Sequence, residues 1–140
     1  MADVFMIGAS TNPSPLTWST VETLLAGEDV TMRALDWSYE PYSQYAALAS
    51  GQDRGRGLPV VVWKFRALRI EQRENLRDFV PGVSNSVYIR TPTNETAAGV
   101  RVWKDFLCIA HWMQRSELSS DGLDLTEEVE ISFTHCEVIT

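Results

Sequence analysis

The stretch from residue 58 to residue 91 does most to restrict the fold. It opens on a run with strand character, LPVVVWKFRALRI, passes into a charged amphipathic segment, EQRENLRDFV, breaks at Pro81-Gly82 and resumes as NSVYIRT. A strand, a helix and a second strand are written there, and none carries a catalytic signature. The rest of the chain reads almost wholly as strands, so a single helix implies a sheet or sandwich plated by a helix, not a wound α/β enzyme. The expected fold class is mainly β: a β-sandwich or partial barrel with one short α-helix at about residues 71 to 80.

Periodicity fills in the elements. From 60 to 70, Val61, Trp63, Phe65 and Ala67 fall on one face and Val62, Lys64 and Arg66 on the other. In the helix Leu76, Phe79 and Val80 fall at i, i+3 and i+4, with Arg73, Glu74, Arg77 and Asp78 outward. Val87 and Ile89 continue a strand, residues 92 to 99 (PTNETAAG) read as a turn or exposed loop, and Val100 to Met113 is the most apolar strand. Its length implies a bend, a bulge or cover on both faces. In the last strand Val129, Ile131 and Phe133 oppose Glu130, Ser132 and Thr134, a half-buried antiparallel pattern. Trp63, Phe65, Leu76, Phe79, Ile89 and Phe133 are expected to share one core.

The first third is less regular. TNPSP (residues 11 to 15) reads as a loop. Residues 18 to 26 fit two templates: Ser19 and Glu22 have capping-box spacing, yet WSTVETLL alternates, and its Thr and Val content favours a strand. Val30 to Trp37 reads as a strand. Residues 38 to 57 read as one long loop holding Tyr39, Tyr42 and Tyr45 and ending in GQDRGRG. Loops of that length in small domains are usually functional or disordered. The tyrosines offer contact area between subunits, or else they cap their own domain's core.

At 140 residues the chain fits one domain over 1–140, able to bury a core without disulfides or metals. No apolar run approaches the ~20 residues of a membrane-spanning helix, and no basic stretch precedes the first apolar run as in a secretory signal, so cytoplasmic folding is expected. A formal charge of −7 disfavours general nucleic-acid binding. The charge is polarised. Residues 54 to 77 carry Arg54, Arg56, Lys64, Arg66, Arg69, Arg73 and Arg77 against only Glu71 and Glu74, while residues 117 to 130 carry six acids, Asp124, Glu127 and Glu128 among them, and no base. These are either two solvated surfaces or complementary patches on neighbouring copies, which favour heterologous, ring-forming contacts.

Cys108, His111, His135 and Cys136 raise the question of zinc. Positions 108 and 111 differ by an odd number and 135 and 136 are adjacent, so regular strands would split each pair between faces and no metal site is expected. A Cys108–Cys136 disulfide requires neighbouring strands, and buried free thiols are the expected state. The GRG at 55 to 57 lacks the spacing of a phosphate or dinucleotide loop, and no G-x-S-x-G elbow or triad motif occurs. Neither a catalytic residue nor a cofactor is expected.

Trp37 with the Tyr-rich loop after it, GQDRGRG, PVVVWKF, the helix through Leu76 and Phe79, VYIRT and the closing VEISFTHCEVI span most of residues 30 to 140. In this order they resemble the tail tube proteins of long-tailed (siphovirus-like) bacteriophages. The resemblance implies a virion tail protein made in the host cytoplasm. Its subunits would form hexameric rings, their inner strands joining into a continuous β-barrel, and the rings would stack into a channel for DNA. Its partners would be further copies of itself, tape-measure and terminator proteins, and DNA that passes without specific binding. Related folds serve in distal tail, baseplate and head–tail joining components, while a monomeric ligand-binding β-barrel and a small enzyme are the rival classes. Interface residues expected on this reading are Tyr39, Tyr42, Tyr45, Arg54, Arg56, Arg69, Arg73, Arg77, Asp124, Glu127 and Glu128.

Overall fold

A computed structural model describes residues 4–24, 35–65, 68–113, 125–126 and 129–139. In chain order the elements are β1 (Met6–Ala9), β2 (Ser19–Thr20), α1 (Val21–Leu24), β3 (Leu35–Glu40), β4 (Gln44–Ala47), β5 (Asp53–Arg56) and β6 (Val60–Phe65). They continue with β7 (Leu68–Arg69), α2 (Ile70–Arg77), β8 (Ser84–Ala97), β9 (Val100–Trp112), β10 (Leu125–Thr126) and β11 (Val129–Val138). Seven strands form one antiparallel sheet in the order β2-β1-β8-β9-β11-β6-β3, and β10-β7 and β4-β5 form two small ribbons. The fold is mainly β, as the strand periodicity requires.

The register aligns the apolar face across the sheet. Trp63 lies opposite Ile131, Val61 opposite Phe133, Phe133 opposite Ala110, Val87 opposite Cys108, and Ile89 opposite both Phe106 and Ile7. Leu76, Val80 and Val21 complete this buried cluster from α2, the turn after it and α1. Trp63 sits at its centre, edge-on to Phe133 at 4.7 Å between centroids, and its indole N–H donates to the buried Thr91 hydroxyl at 3.2 Å. A buried indole needs such an acceptor. Of the expected core residues, Trp63, Phe65, Leu76, Ile89 and Phe133 belong to the cluster, while Phe79 is half-buried and packs against its margin.

The sheet is strongly curled. Three strand spacings separate β3 from β9, about 14 Å in a flat sheet, yet the Tyr39 and Phe106 rings are 6.1 Å apart and the Arg101 guanidinium lies 5.1 Å from the Trp37 ring. Two register shifts, between Pro92 and Thr96 and between Thr134 and Glu137, add the local bends that bulges supply.

A second, smaller packing layer covers the opposite face. Trp18 stacks on Tyr88 at 5.5 Å, and beneath it Arg90 makes a two-pronged pair with Asp105, Nε to Oδ1 at 2.7 Å and Nη2 to Oδ2 at 3.1 Å. Gly8 permits this cover, since a Cβ there would overlap the Trp18 indole.

Several local expectations are corrected. Residues 38 to 57 are not one loop: β3 runs to Glu40, and β4 and β5 make a hairpin. Residues 92 to 99 are likewise paired, because β8 continues to Ala97 and only Ala98 and Gly99, both at positive φ, make the turn. Residues 18 to 24 divide between a two-residue strand and one helical turn, whose start is capped by Thr20, accepting the Thr23 N–H at 3.2 Å, and not by Ser19. The described residues thus hold two α-helices, and α2 ends at Arg77, with Phe79 and Val80 carried by tighter turns from Leu76 and Arg77. The strand expected from Val30 begins, within the described residues, at Leu35.

Candidate assembly interface

Among the described residues the sheet does not close on itself. Its edges are β2, only two residues long, and β3, six residues long, whose outward backbone groups face no strand among the described residues. Beside β3, a depression of about 270 Å³ is lined by Asp36, Trp37, Ser38, Val62 and Lys64. An open strand edge of this length is a template for pairing with another chain.

The β4–β5 hairpin projects from the tip of the β3–β6 pair. Glu40 and Val60 are register partners, so residues 41 to 59 are an excursion between two adjacent strands. Within it Arg54 and Arg56 are exposed along β5, opposite Ala46 and Gln44, and Tyr45 lies opposite Gly55 in the ladder. Tyr42 packs its ring where a side chain at 55 would stand, which is why glycine is needed there, yet Tyr42 stays 44% exposed. Leu48 and Leu58 are exposed as well. The excursion thus presents apolar and basic side chains that its own domain does not cover.

Tyr39 behaves differently. It is half-buried against the core beside Phe106, and burial first, then the nearby Glu95, raises its phenol above the ordinary value. Arg77 is tied to its own chain, donating to the carbonyls of Val80 at 2.9 Å and Gly82 at 2.7 Å, with its guanidinium 4.7 Å from the Trp112 ring. Arg73 is half-buried on α2, and Arg69 pairs with Leu125 through β7 and β10. Asp124, Glu127 and Glu128 lie outside the described residues. The structure therefore brings Tyr42, Arg54 and Arg56 together on one projecting hairpin and places Tyr39, Arg73 and Arg77 elsewhere.

The basic and acidic stretches also meet within one chain. The β7–β10 ladder sets Arg69 beside Leu125, and Lys64 reaches Glu130 at 3.8 Å. Sequence reading missed this proximity, since it follows from pairings between residues more than fifty positions apart. It missed the Arg90–Asp105 pair as well, because the two residues meet only through the β8–β9 register. Among the described residues no three His, Cys, Asp or Glu side chains converge as metal ligands, and no helix is long and apolar enough to cross a membrane.

No protein-family model matches the chain, and no curated protein matches it. Among solved structures it is similar to a chain of the tail of an empty GTA particle, from helical refinement with C6 symmetry, at a TM-score of 0.43 and 13% identity, covering 99% of this chain and 96% of that one.

Proposed function

We propose that this protein is a non-catalytic structural subunit of a phage-like virion tail, built as a single domain, whose copies join into rings that stack as a tube. The observation that carries this reading is the curled sheet left open along β3, with an uncovered hairpin beside that edge. A curled sheet removes its edges either by closing alone or by closing with neighbours. Six copies is the ring size proposed, after the resembled family, and the excess of acids suits a conduit that DNA slides through without sticking. Tape-measure and terminator proteins are the partners expected at the ends of such a tube. The β4–β5 hairpin, with Tyr42, Arg54 and Arg56, is assigned to contacts between copies.

Mass measurement and electron microscopy of the purified protein test the proposal. Rings or tubes with a regular axial repeat are expected. A chain that stays monomeric up to millimolar concentration would remove it, and isolated rings that never stack would move the assignment to a distal or joining component.

A further inference from the structure

The assembly reading leaves one side-chain cluster unused. His111 of β9 and His135 of β11 point at the same atom, His111 Nε2 lying 2.8 Å and His135 Nδ1 3.1 Å from the Thr134 hydroxyl oxygen. Regular alternation would forbid this, because residues 134 and 135 of a flat strand project to opposite faces. The register shift between Thr134 and Glu137 supplies the exception. His135 occupies the bulge at φ +54, a left-handed conformation uncommon outside glycine, and bulges of this kind re-aim side chains. The same bulge returns Cys136 to the core that also holds Cys108, where its thiol donates to the Phe133 carbonyl at 3.5 Å. The four residues are thereby sorted into thiols inside and imidazoles outside. Each pair is split between faces, as alternation leads one to expect, and the bulge adds that the two imidazoles come out on the same side.

The two imidazoles are paired through a single hydroxyl. Thr134 has one hydrogen to donate, so at most one ring accepts it and at least one ring donates its own N–H to the oxygen. With the two contacts laid end to end, the ring nitrogens are no more than 5.9 Å apart. A metal ion with bonds of about 2.0–2.1 Å bridges nitrogens up to about 4.2 Å apart, so the exposed His135 ring would turn from the Thr134 hydroxyl to close the difference. The surroundings are polar: Ser84 and Ser132 are the register partners of His111 on either side.

We propose that His111 and His135 form an open surface site for a borderline divalent metal ion, zinc or nickel, held by two imidazole nitrogens with water in the remaining positions. Imidazole is the ligand these ions share. The site is not a closed structural zinc centre, since no third ligand of the usual type joins it among the described residues.

The test uses the full chain without a histidine tag, titrated calorimetrically with zinc chloride and separately with nickel chloride. One ion per chain is expected. His111→Gln and His135→Gln should each weaken binding by at least roughly tenfold, the lower end of what losing even an outer-sphere partner costs. Glutamine keeps a hydrogen-bonding group at the half-buried position 111 and the exposed position 135, and the variants' thermal melts in the absence of metal should match the parent. In the nickel complex the sulfur-to-metal charge-transfer absorption should be absent. Single variants that bind as tightly as the parent would show two independent imidazoles and overturn the site. Absence of saturable binding, or thiolate absorption in the nickel complex, would overturn it as well.

Discussion

At the scale of single residues, the core's weight falls on a few aromatic side chains. Phe133 is fully buried between Trp63 and Ala110, and Phe133→Ala should cost about 3–5 kcal/mol. Phe79, half-buried past the end of α2, should lose clearly less on truncation, a difference that paired denaturant titrations resolve. Cys108 links residue chemistry to pH. Burial first, then the Cys136 thiol, raises the Cys108 thiol well above its ordinary value of 9.0. A group whose folded value is raised contributes stability that is whole below the unfolded value and is lost as pH rises through the folded one. Denaturant titrations from pH 8 to 10.5 should therefore show stability falling above about pH 9, and the fall should be shallower in Cys108→Ala. An identical slope in the two proteins would show that the thiol ionises equally well folded.

At the scale of elements, the two hairpins make opposite predictions. The β8–β9 turn places Ala98 at φ +52 and Gly99 at φ +79, the pattern of a hairpin turn with two left-handed residues. Ala98→Asn should stabilise by up to about 1 kcal/mol, since asparagine tolerates this region better than alanine. A β-branched replacement such as Ala98→Val should destabilise, and thermal melts of the pair decide. The β4–β5 excursion is dispensable to the fold by contrast, because none of its described side chains belongs to the core cluster. Replacing residues 41 to 59 with Asn-Gly would join the partners Glu40 and Val60 by a two-residue turn. The product should fold with an unchanged strand spectrum and should not assemble. If it still forms rings, the hairpin is not the contact.

At the scale of the whole molecule, the charge distribution takes on a different meaning from the one its linear order implies. Lys64 and Glu130 are paired within one chain, and β7 lies beside β10, so part of the basic–acidic complementarity is satisfied internally. Lys64 is 49% exposed on its side chain, and such surface pairs contribute little to stability. Assembly through Arg54 and Arg56 should still weaken near 1 M salt, where the Debye length falls to about 3 Å. Sedimentation across a salt series should then shift towards small species, and Arg54→Glu with Arg56→Glu should abolish the salt dependence. Assembly indifferent to salt would assign the contact to Tyr42, Leu48 and the β3 edge alone.

How much was legible in advance follows from the range of the forces involved. Alternation at Val61, Trp63 and Phe65 and at Val129, Ile131 and Phe133 is a local property of a strand with one buried face, and the sequence alone determined those elements, their inward faces and a mainly β fold. The helix after Arg69 was legible for the same reason, through the spacing of Leu76 and Val80. The paired character of residues 38 to 57 and 92 to 99 was not, because polar and turn-forming residues pair as strands only when a neighbouring strand offers its backbone groups. The tertiary structure alone decided that Arg90 meets Asp105 beneath Trp18, that the basic and acidic stretches share one chain's surface, and that β3 is left as an edge. It also decided the sorting of the cysteines and histidines. One inserted residue in β11 reverses which side chains face the core, and only the register against β9 sets where that residue falls.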